Sequence, residues 1–295
     1  MRCDEQVICR LLARKKSRKD DFKIGLIVQG GGMRGAFSSG AMMGLDDVGL
    51  VNSFDYVYGA SSGSCATAYF LSGQIQESGP IYWEYLYNFR FIKPWKLNKI
   101  LDLDYLCDDL FRNEHRLDIR KLSKNPATLK IFLTDSVSGR SEFVTNKQDD
   151  DIVTAIKASC SLPAYYRAPI MLNGRSYYDG NVGKALAFEE ALRDGCTDLL
   201  VVTTVAENAK DSPFLTRFLA FGFNKRVREL VNTKLLNYHE NLDMVFGRKK
   251  FRGINIYTIS PEGTLYRGEI RQKVLEKSGM QGRDKVLEAF KMGVK

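Results

Sequence analysis

Histidine is scarce in this sequence: His115 and His239 are the only two in 295 residues. Chemistry that needs an imidazole must use one of them. No two cysteines form a C-x-x-C pair, and Cys3, Cys9, Cys65, Cys107, Cys160 and Cys196 lie far apart. That spacing argues against a zinc knuckle and a disulfide framework, and for reduced thiols in a cytosolic setting. No apolar run approaches the roughly 20 residues that span a bilayer. The first residues, MRCDEQVICRLLARKKSRKDD, hold no apolar core and no small-residue cleavage site, so Sec-type export is not expected. A G-K-[ST] tripeptide is missing, which leaves a P-loop unsupported. There is no internal repeat and no low-complexity linker.

What is present suits one large globular domain or two ordinary ones, with 44% hydrophobic and 27% charged residues. The formal net charge of +9 favours anionic partners and says nothing about fold. Part of that charge is concentrated in Arg10, Arg14, Lys15, Lys16, Arg18 and Lys19. The cluster reads as a patch for anionic lipid, at about 1 kcal/mol per cation near such a surface. It reads equally as a solvated, frayed terminus, which is the commoner case.

Apolar runs bounded by glycine and turn residues predict strands at Phe22–Gln29, Phe54–Tyr58, Asp198–Thr204 and Ile254–Ile259. Leu129–Asp135 and Ser141–Thr145 read as a pair around Ser138-Gly139, and Asn173-Gly174 as a tight hairpin turn. Helices are expected at Met33–Leu50, Ser62–Leu71, Glu189–Arg193 and from about Gly282 to Lys291. Asp149-Asp150-Asp151 precedes an apolar stretch and reads as a helix start rather than a metal site. That helix should stop near Pro163. Strands alternating with helices predict an α/β fold with helices on both faces of the sheet. Tyr82–Trp95 is rich in aromatics without a clean period, and suits either a lid or acyl pocket, or core packing. Phe214-Leu215, Phe218-Leu219 and Phe221, flanked by Lys225, Arg226 and Arg228, have the spacing of an interfacial helix or of a core-facing one.

The chemistry begins at Gly59-Ala60-Ser61-Ser62-Gly63, a G-x-S-x-G between a predicted strand and helix. In such a turn the serine hydroxyl is presented above the sheet, and Gly59 and Gly63 remove side chains that would collide. About 30 residues earlier stands Gly30-Gly31-Gly32-Met33-Arg34-Gly35, again between a strand and a helix. Consecutive glycines let backbone N–H groups converge on an anion. The same glycines fit the dinucleotide pattern G-x-G-x-x-G, but the acid expected at the end of the second strand is missing. A base is also required. His239 would serve a Ser-His-acid triad, although nothing in LLNYHENLD presents it. Asp179, in Tyr177-Tyr178-Asp179-Gly180-Asn181, follows a short strand and opens a glycine turn. A carboxylate can take the serine proton directly when it lies within reach.

GGGMRG, GASSGS and DGN, in that order and setting, resemble the patatin-like phospholipases of bacterial type. Ala158-Ser159-Cys160-Ser161-Leu162-Pro163 resembles the family's A-S-x-x-x-P segment. The resemblance covers roughly Lys23 to Asp198. It implies a three-layer α/β/α sandwich around a mostly parallel sheet, and lipid ester hydrolysis by a Ser-Asp dyad. Ser61 would be the nucleophile and Asp179 the base. The loop Gly30, Gly31, Gly32 would supply the oxyanion hole, with Arg34 at its basic position and Gly35 closing it. It implies no cofactor or metal, a lipid or ester substrate, and no nucleic-acid partner. A cytoplasmic protein, with peripheral contact to anionic membrane, follows from the charge and the thiols. One position departs: where the family usually has glycine or alanine after Asp-Gly, this chain has Asn181. The expected organisation is a basic segment 1–21, a catalytic core 22–205 and a C-terminal extension 206–295 packed on the core. Two rival functions stand beside this one: a Ser-His-Asp carboxylesterase using His239, and a non-enzymatic phosphate- or nucleotide-binding module.

Overall fold

The computed structural model describes residues 3–96, 98–148, 151–163, 165–207 and 240–292. His239 and the Phe214–Phe221 stretch lie outside them. Eight strands form among the described residues: β1 (Ile24–Val28), β2 (Tyr56–Gly59), β3 (Thr128–Asp135), β4 (Ser141–Thr145), β5 (Ile170–Leu172), β6 (Arg175–Asp179), β7 (Asp198–Val202) and β8 (Asn255–Ile259). The described helices are α1 (Cys3–Lys16), α2 (Gly35–Asp47), α3 (Ser62–Leu71), α4 (Ile75–Ser78) and α5 (Ile81–Glu84). They continue with α6 (Ile119–Lys124), α7 (Ile152–Cys160), α8 (Gly180–Gly183), α9 (Phe188–Arg193) and α10 (Gln272–Met292). A π-helical stretch, Tyr105–Glu114, precedes α6.

The strands make one mixed sheet in the order β5-β6-β3-β2-β1-β7-β8, with β4 paired to β3. The run β3-β2-β1-β7-β8 is parallel. β4 and β6 meet β3 antiparallel, and β5 meets β6 antiparallel through a hairpin. At its tip Asn173 and Gly174 both have positive φ, 49° and 75°, as a primed two-residue turn demands.

Alternation along the strands builds two cores. Ile24, Leu26 and Val28 of β1 join Leu200 and Val202 of β7 on one face, packed with residues of α1, α2, α3, α7 and α10. Ile27, Leu199 and Val201 point the other way, against Phe188 and Ala191 of α9 and against Phe251. A sheet buried on both faces between helices is the three-layer arrangement that βαβ connections produce.

Two expectations are corrected. The N-terminus is not a frayed tail but helix α1, which buries Val7, Ile8 and Leu11 in the first core. Its arginines, and Arg18 just beyond it, are paired within the fold. Arg10 pairs with the buried Asp198 at 2.5 Å. Arg14, 5% exposed, bonds Asp20, Asp55 and the Ser53 and Phe22 carbonyls. Arg18 reaches Asp55 and the Asn52 carbonyl. Among the described residues the cluster's lysines, Lys15, Lys16 and Lys19, have no charge partner of this kind, and they are exposed. The last helix also begins earlier than expected, at Gln272 rather than near Gly282. Gly279 and Gly282, which look like helix breakers, face α2: a Cβ on Gly282 would overlap the Phe37 carbonyl, and one on Gly40 would overlap that of Gly279.

Other local expectations meet a simple account. Asp151 caps α7 by accepting from Thr154 N–H at 3.0 Å. The aromatic segment divides: Tyr82, Trp83, Leu86 and Phe91 are core, while Phe89 and Trp95 are exposed against each other, ring centroids 5.5 Å apart. No helix among the described residues is long and apolar enough to cross a membrane.

Candidate active site

Ser61 stands between the end of β2 and the start of α3, with φ 52° and ψ −134°. A non-glycine residue in that region is strained, and the surroundings must hold it there. They do so from three sides. Ser61 N–H donates to Ser159 Oγ at 2.9 Å, and that hydroxyl in turn donates to the Phe132 carbonyl at 2.7 Å. Ser64 Oγ donates to the Ser61 carbonyl at 2.7 Å. Gly63 is pressed onto the end of β1, where a Cβ would overlap the Val28 carbonyl. Gly59 faces Thr67 Oγ1, which a Cβ would approach to 2.7 Å. Both glycines are therefore required by packing, and α3 starts directly behind the serine with the positive end of its dipole toward it.

Asp179 reaches Ser61 through the geometry of β3. Leu133 and Thr134 of β3 have partners on both edges, Glu142 and Ser141 of β4 on one, Asp179 and Tyr178 of β6 on the other. Ile131 likewise has Val144 of β4 on one side and Gly59 of β2 on the other. β2 and β6 therefore share one edge of β3 and meet end to end along it. β2 stops opposite Ile131 and β6 stops opposite Leu133, and the residues that follow each strand share the gap. Thr134 Oγ1 holds the second end: it donates to the Asp179 carbonyl and accepts from Gly183 N–H, both at 2.8 Å. Gly180 passes so close to β3 that a Cβ would overlap the Phe132 carbonyl.

The Asp179 carboxyl is 3% exposed, and burial pushes its pKa up to about 7. The Asn181 N–H, donating to Oδ1 at 2.8 Å, the Ser61 hydroxyl and the Arg267 guanidinium each pull it back. A carboxylate with a pKa near neutrality is poised to accept and return a proton at physiological pH.

The glycine loop lies against the same serine. A Cβ on Gly30 would fall 2.8 Å from Ser61 Cβ. The expectation that the whole loop offers its amides is narrowed. Gly31 N–H is already donated to Ser62 Oγ at 2.9 Å. Gly35 N–H is spent on the Gly32 and Met33 carbonyls, and Gly35 is a packing position under the Tyr82 ring. Among the described residues Gly30 and Gly32 N–H have no acceptor. Gly32 has φ +62°, which favours glycine. Arg34 donates through Nε to the Leu265 carbonyl at 2.7 Å, and Met33 N–H to the Arg267 carbonyl at 3.0 Å. The segment before α10 is thereby tied to the loop and brings Arg267 to the site.

Four contributors escaped the sequence reading. Ser159 and Ser161 lie in A-S-x-x-x-P, a pattern whose physical purpose only the fold shows. Ser159 holds Ser61, and the Ser161 carbonyl accepts Asp179 N–H at 3.1 Å. Thr134 and Arg267 had no local signal at all. Cys65 and Cys160 come together beneath the serine, sulfur to sulfur 3.8 Å. His115 sits near the other end of α3, where Tyr69 donates to its carbonyl at 2.5 Å. Tyr69 is eight residues beyond Ser61, about 12 Å along a helix, so His115 is no partner for the serine. A cavity of about 770 Å³ lined by Gln74, Phe111, Arg116, Leu117 and Val153 opens at that far end too.

A strained serine at a strand-to-helix turn, a buried aspartate and a glycine loop on a three-layer α/β/α sheet define a patatin-type fold. The sequence profile of the Patatin-like phospholipase family matches residues 26–192, and the chain belongs to that family. The chain is 26% identical over 261 residues to the protein YjjU of Escherichia coli K12, covering 82% of this chain and 66% of that one. It therefore spans slightly less than two thirds of that relative's length. Among solved structures it is similar to VipD of Legionella pneumophila, at 12% identity and TM-score 0.46, over 92% of this chain and 67% of that one. It is also similar to ExoU of Pseudomonas aeruginosa, solved in complex with SpcU. There the identity is 15% and the TM-score 0.41, over 92% of this chain and 53% of that one.

Proposed function

We propose that this protein is a lipid acyl hydrolase that cleaves carboxylic esters of phospholipid type, with Ser61 and Asp179 as a dyad. Ser61 Oγ attacks the ester carbonyl carbon while Asp179 takes its proton. The carbonyl oxygen becomes an oxyanion facing the N–H groups of Gly30 and Gly32 and the start of α3, where such donors act without reorganising. The intermediate collapses, and the leaving alcohol receives the proton from Asp179. Water then attacks the acyl-enzyme, Asp179 takes one of its protons, and Ser61 leaves with that proton. The observation that supports this reading most is the pairing itself: a strained serine beside a buried carboxyl whose pKa burial lifts to about 7.

A cytoplasmic location with transient contact to an anionic membrane belongs to the same proposal. It rests on the charge of +9 and on cysteines that are free thiols, even where Cys65 faces Cys160. The test is fluorophosphonate labelling with peptide mapping, combined with fatty-acid release from a panel of phospholipids and neutral acylglycerols. Ser61→Ala should lose both label and release, whereas His115→Ala and His239→Ala should keep most of each. Label mapped to Ser62 or Ser64, or a folded but inactive His239→Ala enzyme, would overturn the dyad.

A further inference from the structure

The aromatic stretch Tyr82–Trp95 is only partly absorbed by the core. Phe89 is 56% and Trp95 63% exposed, and the two rings lean on each other in solvent. A single exposed aromatic is ordinary on a protein surface, but a phenylalanine and a tryptophan clustered in water mark a place where something docks. Hydrogen bonds fix where that place is. The bridge between Ile92 and Leu101, with Lys93 N–H donating to the Ile100 carbonyl at 2.7 Å, closes the loop that carries Trp95. The loop is fastened to the chain that leaves α7. Leu101 N–H donates to the Tyr165 carbonyl, Arg167 N–H donates to the Asn98 carbonyl, both at 3.1 Å, and Lys99 bridges Tyr166. α7 ends at Cys160, one residue after the Ser159 that holds Ser61 N–H. The ring pair therefore stands at the end of the sheet where Ser61 stands.

The segment before α10 reaches the same end from the other side. Tyr266, 64% exposed, precedes Arg267, whose carbonyl accepts the Met33 N–H of the glycine loop at 3.0 Å. The two sides meet at Tyr165: burial raises its phenol pKa, the Tyr266 phenol raises it further, and Arg267 and Arg34 pull it back. Charge follows the same arrangement. The acids beside the loop are already used, Asp102 by Lys93 and Lys99, and Asp104 by Lys99 and Lys157, at 2.5 to 2.7 Å. Lys96, next to Trp95, and Arg167 are exposed and have no carboxylate partner among the described residues.

We propose that Phe89, Trp95 and Tyr266, with Lys96 and Arg167 beside them, are the surface by which this protein rests on a phospholipid bilayer, with Ser61 toward the lipid. The proposal rests on the hydrolase reading above, which supplies the lipid. Tryptophan and tyrosine settle at the level of the headgroups, where the ring leaves water and its N–H or O–H stays wet. Unpaired cations next to them meet the phosphates. A bilayer seated here gives an ester a short path to Ser61, whereas one held by the N-terminal lysines lies beyond the other end of the strands.

The test uses the full chain and vesicles of phosphatidylcholine mixed with phosphatidylglycerol. The sequence has two tryptophans, and Trp83 is buried, so a change of emission on adding vesicles reports Trp95. The emission should move to the blue, and Trp95→Phe should remove that shift. Co-sedimentation should show the dissociation constant rising about tenfold in Trp95→Ala and about tenfold again when Tyr266→Ala is added, the transfer of one partly exposed ring each. The ratio of hydrolysis on vesicles to hydrolysis of p-nitrophenyl butyrate should fall by about as much. Fluorophosphonate labelling without vesicles checks that each variant is folded, and the parent's emission decides the matter where one is not. Vesicle binding without an emission shift overturns the proposal, as does binding equally tight in Trp95→Ala, or a parent that does not bind. A dimer that forms in the parent and not in Trp95→Ala overturns it too, since a second copy would then cover the rings. A parent that binds vesicles through Trp95 but neither labels nor releases p-nitrophenol keeps the surface and fails the hydrolase reading instead.

Discussion

Asp179 is kept in a place that a free carboxylate would avoid. Its ordinary pKa of 3.8 rises to about 7 because burial penalises the charge more than Asn181, Ser61 and Arg267 relieve it. Two consequences follow in opposite directions. A base must be ionised to work, so kcat/KM on a soluble ester should rise with pH to a plateau, with a midpoint near 7. A flat profile between pH 5.5 and 8.5 would rule Asp179 out as the base. For stability the sign reverses. The folded state binds this proton more tightly than the unfolded state, so no penalty exists below the unfolded value, and it grows as pH rises through the folded one. Asp179→Asn should therefore abolish hydrolysis yet raise the melting temperature at pH 8, by a stabilisation on the order of 2–4 kcal/mol, and by much less at pH 4. Thermal unfolding at the two pH values checks this. Ser159 belongs to the same scale. Its hydroxyl is the acceptor that holds Ser61 N–H in the strained turn. Ser159→Ala leaves that buried donor unpaired, which costs about 1–3 kcal/mol of stability. If Ser61 is the nucleophile proposed above, Ser159→Ala should lower kcat more than it raises KM, because Ser61 loses its aim; an enzyme with unchanged kcat would reduce Ser159 to packing.

Among the elements, the decisive contact for assembly is α2 on α10. Both carry glycines at the crossing, Gly40 and Gly44 on one and Gly279 and Gly282 on the other, and backbone meets backbone there. Gly44 has its own limit: a Cβ would come within 2.8 Å of the Arg283 carbonyl. A methyl added at Gly40 cannot be absorbed by rotating a side chain, since the obstacle is the Gly279 carbonyl. Gly40→Ala or Gly282→Ala should cost about 3 kcal/mol or more, the upper end of overpacking. Gly263→Ala, with nothing within 4 Å of the new Cβ, is the control and should be neutral. Chemical denaturation of the three variants would show it, and a stable Gly40→Ala protein would mean the helices can separate. Because α2 begins at the glycine loop, that separation should also reach the site and reduce labelling of Ser61.

Across the whole molecule, the basic cluster and the site lie at opposite ends of the parallel strands. Arg14 and Arg18 bind Asp55 and the carbonyls beside the starts of β1 and β2, whereas Ser61 follows the end of β2. The parallel strands between them separate the two regions, so a membrane held by the cluster would face away from the serine. The arginines belong to the folded structure. Arg14→Ala breaks a nearly buried guanidinium network and should cost about 3 kcal/mol. Replacing Lys15, Lys16 and Lys19 together should leave stability nearly unchanged, since solvated charges of this kind contribute little to it, and should weaken vesicle binding by about 1 kcal/mol for each lysine that meets the lipid surface and not at all if none does. Strong loss of vesicle binding in the triple lysine variant, measured by co-sedimentation, would restore the cluster as a membrane contact.

Local physics made much of this protein legible in advance. Ser61 between Gly59 and Gly63, the helix Ser62–Leu71, and the turn at Asn173-Gly174 all depend on neighbours within a few residues, and each stands where expected. The same is true of the alternation that buries both faces of β1 and β7. The last helix begins at Gln272, well before the expected Gly282, and a glycine in sequence looks the same whether it breaks a helix or lets another helix approach. Only the packing of α10 on α2 distinguishes the two at Gly279 and Gly282. Gly31 shows the same limit: three glycines promise three amides, but a side chain from the next motif, Ser62, takes one of them. The juxtaposition of Ser61 and Asp179 depends on β3 being long enough for β2 and β6 to end along one edge. That is a matter of strand register across more than a hundred residues of sequence separation, and no local propensity encodes it. The sequence by itself determined the pieces and their conformations, because those are short-range. The tertiary structure decided which amides stay free, which cations are spent on the fold, and that Arg267 and Asn181 come to the side of Asp179 and Ser61, because burial and distance exist only once the sheet has closed.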